Sequence, residues 1–177
     1  MILTLIGYRA TGKSTLAQPL AERLGWSSID ADVELECRAG RTIREIFDTD
    51  GETEFRRWER VTLVDLLSRD RLVIAAGGGA VLNPDTRRDF KNAGPVVWLK
   101  ASIDTIERRL YGDETTLERR PNLSAAGGRE EIGELLKARE PIYQETADLV
   151  IQTDQPLPGR TEIPTIDQLI EHVVAQL

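Results

Sequence analysis

The sequence predicts an α/β layered fold built on a five-stranded parallel sheet flanked by helices. Short strand-like runs alternate with helical patterns along 177 residues, and most of those runs are apolar throughout, as strands covered on both faces are. The first and third runs end in glycine, at Gly7 and at Gly77, Gly78 and Gly79. No internal repeat or linker divides the chain, so it reads as one domain over residues 1–177.

The elements follow in order. ILTLI, Ile2–Ile6, is an apolar run that stops at Gly7, as a buried strand does. Over 14–24, Leu16, Leu20, Ala21 and Leu24 fall at helical spacing, and Gly25 stands where a C-terminal cap ends a helix. SSID then forms a short second strand ending at Asp30. Residues 33–69 are charge-rich and mostly helical in pattern, with Thr42-Ile43-Arg44-Glu45 as a capping box and Ile43, Ile46 and Phe47 as an apolar stripe. DTDGE breaks this pattern at Gly51, after which a longer helix carries Phe55, Trp58, Thr62 and Leu66 towards a core.

LVIAAGGG is the third strand, VVWLK at 96–100 the fourth, and LVIQT at 149–153 the fifth. Ser102 is placed to cap a helix reaching Leu110. Thr165-Ile166-Asp167-Gln168 opens a last helix whose Ile166, Leu169, Ile170, Val173, Val174 and Leu177 share one packing face. Residues 111–129, YGDETTLERRPNLSAAGGR, lack apolar periodicity and read as a long mobile loop of a length that is usually functional.

Composition narrows the class. A net charge of −7 argues against a general nucleic-acid binder, whose affinity comes from Lys and Arg on phosphates. No stretch has the length of a membrane span, and the apolar start lacks a basic region and a cleavage site, so the expected setting is the cytoplasm with no membrane partner. The single cysteine, Cys37, leaves no internal disulfide and no cysteine-built metal site.

The chemistry starts at Gly7-Tyr8-Arg9-Ala10-Thr11-Gly12-Lys13-Ser14, which satisfies G-x-x-x-x-G-K-[ST] between a strand and a helix. Glycines let the backbone curl so that N–H groups point at phosphate oxygens, and the helix N-terminus adds positive potential. Lys13 reaches the β- and γ-phosphates, and the Ser14 hydroxyl suits Mg²⁺. A switch GTPase does not fit: the D-x-x-G at Asp48 follows a helical pattern, and no N-K-x-D occurs. Size and the lack of a second hydrolysis motif exclude a large ATPase motor.

Four further features suit a small anionic acceptor. Asp30 and Asp32 alternate at the end of the second strand, where they serve Mg²⁺ or a substrate hydroxyl, or else cap a helix. Arg56 and Glu59 lie three apart on a helix, as an oriented guanidinium or as a surface salt bridge. The three glycines expose backbone N–H groups or simply make a tight turn. Arg119, Arg120 and Arg129 lie in the long loop, either to meet the transferring phosphate or to remain solvated.

In the order GxxxxGKS, DxD, DGExxFRxxE, GGGAV, RRP and AREPIY, the chain resembles the shikimate kinases from Ile2 to about Thr153. The resemblance implies a P-loop kinase three-layer fold with a helical substrate-binding segment at 31–61 and a mobile lid at about 111–129. It implies transfer of the γ-phosphoryl of ATP to the 3-hydroxyl of shikimate, with Mg²⁺, in aromatic amino acid biosynthesis. A related kinase of another small hydroxy acid, such as gluconate, is the alternative.

Carried over by motif, Lys13, Asp32 and Arg120 are the catalytic set. Ala10, Thr11, Gly12, Lys13, Ser14, Thr15 and Arg120 bind the nucleotide, and Ser14 and Asp30 serve the metal. Asp32, Arg56, Gly77, Gly78, Gly79 and Arg139 bind the acceptor, with Glu59 orienting Arg56. The implied partner is a small molecule only, and the expected form is a monomer. Three departures stand out: Ala10 replaces a glycine, the lid is long and polar, and after the fifth strand only Arg160 is available near adenine, at the wrong spacing.

Overall fold

The chain, represented by a computed structural model, is described over residues 1–112 and 128–176. Strand β1 (Ile2–Ile6) is buried along its whole length because both faces of the sheet are covered. It is followed by α1 (Lys13–Leu24), β2 (Ser27–Asp30), α2 (Ala31–Ala39), α3 (Ile43–Leu67) and β3 (Leu72–Ala75). A single 3-10 turn over Ala80–Leu82 leads to α4 (Pro84–Ala93), β4 (Val96–Lys100) and α5 (Ile103–Tyr111). Then come α6 (Gly128–Thr146), β5 (Leu149–Gln152) and α7 (Ile166–Val174).

All four strand pairings are parallel, in the order β2-β3-β1-β4-β5. One face is packed by Leu16 and Leu20 of α1 and Leu169 and Val173 of α7 against Leu3, Leu5, Val97 and Ile151. The other carries Leu63 and Leu66 of α3, Phe90 of α4 and Tyr143 of α6 against Ile2, Ile74, Val96 and Trp98. The central strands β1, β3 and β4 bring their C-terminal ends to one rim, where open parallel sheets bind ligands.

The helix signals hold in detail. Gly25 caps α1 at φ 69°. Both expected capping boxes form, at Thr42 with Glu45 and at Thr165 with Gln168. Within α3, Gly51 takes φ 80° and ψ 179°, so the break read there is a kink between two helical runs.

Two readings need correction. Asp30 ends β2 and Ala31 already begins α2, so the two aspartates do not alternate along a strand. Asp30 is the N-cap of α2, its Oδ1 accepting from the N–H groups of Asp32 and Val33. Of the stretch read as a loop over 111–129, Tyr111 is instead the last residue of α5, and Gly128 and Arg129 lie in α6. Arg119 and Arg120 fall outside the described residues, as does Leu177 of the expected packing face.

Candidate active site

The phosphate loop joins β1 to α1 and is held open by its own geometry. Gly7 has φ 138°, and a Cβ there would meet the Leu99 carbonyl oxygen of β4 at 2.3 Å, so a side chain is excluded. Gly12 sits at φ 98° and Ala10 at φ 61°, the left-handed region. The alanine departure is therefore accommodated with its Cβ in a conformation that glycine favours. Thr11 Oγ1 donates to the Tyr8 carbonyl at 2.8 Å, and Lys13 Nζ donates to the carbonyls of Gly7 and Tyr8 at 2.9 and 2.8 Å. These bonds leave the lysine ammonium folded along the loop that a phosphate would occupy.

Two cavities flank this loop. The larger, about 530 Å³, is bounded by Ala10, Thr11, Gly12 and Thr15 on one side and by Arg109, Thr153 and Ile166 on the other. It has the size and mixed lining of a nucleoside pocket. Arg109 of α5 donates to the Ala10 carbonyl at 3.1 Å and to Thr153 Oγ1 at 3.4 Å. Its sequence neighbours gave no signal, since Arg108-Arg109 at a helix C-terminus reads as charge favourable to the helix dipole. Among the described residues, Arg109, and not Arg160, is the arginine that lines this cavity.

The smaller recess, about 160 Å³, gathers Lys13, Ser14, Asp30, Asp32 and Gly78, all expected site residues. Ser14 Oγ donates to Asp30 Oδ2, so the two residues expected to serve a metal are brought together although Asp30 also caps α2. A hydroxyl and a carboxylate are the hard oxygen donors that Mg²⁺ takes alongside phosphate and water. Arg9 and Glu36 also line the recess and were not expected. Glu36 accepts from the Ile43 N–H at 2.9 Å, which ties α2 to the start of α3.

The two expected arginines reach the glycine turn from opposite elements. Arg56 of α3 donates to Glu59 at 2.8 Å and to Glu52 at 3.0 Å, and Glu59 is buried. Burial works against the Arg56 charge, yet Glu59 and Glu52 hold its pKa above the ordinary value. A Cβ on Gly79 would lie 2.6 Å from Arg56 Nη1, so the guanidinium rests against the bare glycine. Arg139 of α6 is 8% exposed and reaches the Gly78 carbonyl at 3.4 Å. Its Cζ stands 6.0 Å from the Tyr8 ring centroid, and burial pushes the Tyr8 phenol up although Arg9 and Arg139 draw it the other way. Gly77 supplies the turn itself, its carbonyl accepting from the Ala80 N–H at 3.0 Å.

Thr15 lines the larger cavity and not the recess, which suits the nucleotide role. Arg129 is paired with Asp104 and Glu107 of α5, so the reading that it meets the transferring phosphate finds no support here. No helix among the described residues is long and apolar enough to cross a membrane.

A phosphate loop on the central strand, a hydroxyl–carboxylate pair beside it and paired arginines across a glycine turn define a phosphotransferase of the P-loop kinase class. A sequence model of the shikimate kinase family matches residues 9–177. The shikimate kinase of Rhodopirellula baltica is 43% identical over 151 residues, covering 85% of this chain and 81% of that protein. That of Paramagnetospirillum magneticum is 36% identical over 171 residues, covering 97% and 85%. Among solved structures, shikimate kinase from Acinetobacter baumannii in complex with shikimate superposes with a TM-score of 0.85 at 34% identity, covering 98% of this chain and 90% of that one. The chain belongs to the shikimate kinase family.

Proposed function

We propose that this chain transfers the γ-phosphoryl of ATP to the 3-hydroxyl of shikimate, giving shikimate 3-phosphate and ADP for aromatic amino acid biosynthesis. Family membership supports the reaction. The observation that carries the acceptor is the convergence of Arg56 and Arg139 on Gly79 and Gly78, next to a recess containing Asp32. Two guanidiniums at one turn select a small planar carboxylate.

The residue roles follow from that placement. Ala10, Thr11, Gly12 and Thr15 border the nucleotide cavity, and Lys13 turns from the loop carbonyls to the phosphates. Ser14 and Asp30 would hold Mg²⁺, which would neutralise charge on the phosphate oxygens. Asp32 positions the acceptor hydroxyl and takes its proton. Arg56, Arg139 and the N–H groups of the Gly77–Gly79 turn fix the rest of the acceptor, and Glu59 keeps Arg56 aimed. Little covalent work is asked of the protein, so positioning and charge compensation supply most of the rate. Arg120 remains the proposed phosphate contact from the lid. The unit is inferred to act as a single domain, a monomer in the cytoplasm, with 31–61 as its acceptor-binding segment.

A coupled ADP-release assay with MgATP tests the reading. ADP that accumulates only when shikimate is added is the expected outcome. Turnover of gluconate with none of shikimate would overturn it in favour of another hydroxy acid.

A further inference from the structure

The stretch Arg139-Glu140-Pro141-Ile142-Tyr143 gives the proposed acceptor site one arginine, and its tyrosine packs in the core beneath the sheet's helical layer. Tyr143 is fully buried, and its ring stacks on Trp98 with centroids 5.5 Å apart at 25°. Packing explains the ring but not the hydroxyl. That hydroxyl donates to the Gly78 carbonyl at 2.5 Å. Residues 139 and 143 are four apart on α6 and so share a face, and Arg139 Nη1 approaches the same oxygen at 3.4 Å. One carbonyl thus faces two donors, a phenol at close range and a guanidinium at the limit of hydrogen bonding.

We propose that Tyr143 is a positioning residue for the acceptor: its hydroxyl occupies the Gly78 carbonyl and thereby leaves the Arg139 guanidinium to the acceptor carboxylate. A buried carbonyl needs a donor. Without the phenol, the nearest replacement among the described donors is Arg139, which would close on Gly78 and be lost to the substrate. The same bond fixes a peptide plane, and through it the Gly79 N–H on the opposite edge of that plane. The inference rests on the reading of Arg139 and Gly78 as acceptor-binding groups.

Tyr143→Phe keeps the stacked ring and removes only the hydroxyl. A double-mutant cycle with Arg139→Ala, read on kcat/KM for shikimate, measures whether the tyrosine acts through the arginine and needs no saturation. Tyr143→Phe is expected to lower kcat/KM for shikimate about ten-fold, mostly through KM, with the KM for ATP unchanged. In the Arg139→Ala background the same change should cost less than about two-fold. Trp98→Phe serves as the packing control, expected to lower the melting temperature while leaving the shikimate KM in place. An unchanged KM in Tyr143→Phe, an equal loss in both backgrounds, or an equal loss in Trp98→Phe would each overturn the proposal. If Arg139→Ala itself leaves shikimate use intact, the acceptor reading falls first and the proposal with it.

Discussion

The two sides of the site are built from different materials. On the nucleotide side the recognition surface is backbone, a loop strung between β1 and α1 and backed by the central strand of the sheet. On the acceptor side it is side-chain charge, delivered by α2, α3 and α6 from three separate stretches of chain. The first side shares the main core, with Leu16 and Leu20 packed directly beneath the loop against the sheet. The second leans partly on a small core of its own, Leu35, Ile43, Ile46 and Phe55. A damaged nucleotide side should therefore fail with the whole fold, whereas the acceptor side can lose its substrate while the sheet persists.

The sharpest way to break that contrast is to remove the proposed proton acceptor alone. Asp32→Ala should lower kcat by about a thousand-fold while ATP binding, followed by calorimetry, changes less than about three-fold. Comparable losses in both would mean that the recess and the nucleotide cavity are not separable. Next comes the clamp. Arg56→Ala should raise the shikimate KM by about a hundred-fold through loss of charge-assisted bonds, whereas Arg109→Ala should raise only the KM for ATP. Steady-state titration of each substrate distinguishes the two.

The small core can be opened without touching a ligand. Ile46→Ala should cost about 3 kcal/mol in urea unfolding and weaken shikimate more than ATP. Equal weakening would show that 31–61 is not an independent support. The smallest effect concerns acid stability on the nucleotide side, at the start of α5. Burial works to raise the Asp154 carboxyl, but the hydroxyl and N–H of Ser102, at 2.6 and 2.8 Å, outweigh it and hold its pKa below the ordinary value. A pKa lowered by folding means stability present in full above about pH 4 and lost as the pH falls through the folded value. Asp154→Ala should lower stability by about 1 kcal/mol at pH 7, discounted for partial exposure, and by less at pH 3. Melts across that range give the answer.

How much was legible follows the same division. Backbone recognition leaves a compact motif, so Gly7, Gly12, Lys13 and Ser14 could be read together and are found together. Side-chain sites assembled from distant segments leave only short scattered strings, and Asp32, Arg56 and Arg139 become legible through the order of DxD, FRxxE and AREPIY along the chain. Arg109 reaches Ala10 across 99 residues of sequence, and its own neighbourhood looks like an ordinary helix end. Helix α6 does carry a signal, Ile132, Leu135, Leu136, Ile142 and Tyr143 at helical spacing, and its Pro141 is no stronger a breaker than Pro19 inside α1. Helix α4 carries none, since Phe90 is its only buried apolar anchor and gives no period to detect. The aspartate pair lines one recess although its premise fails, because the helix beginning at Ala31, and not an extended strand, carries Asp32 beside Asp30.

Ala10 belongs to the walls of both cavities. If the two cavities take donor and acceptor as proposed, the two ligands share a wall residue, and the phosphoryl group passes in a single in-line displacement. A γ-phosphorus made chiral with oxygen isotopes should arrive on the acceptor with its configuration inverted, whereas retention would mean a phosphorylated group on the protein between donor and acceptor.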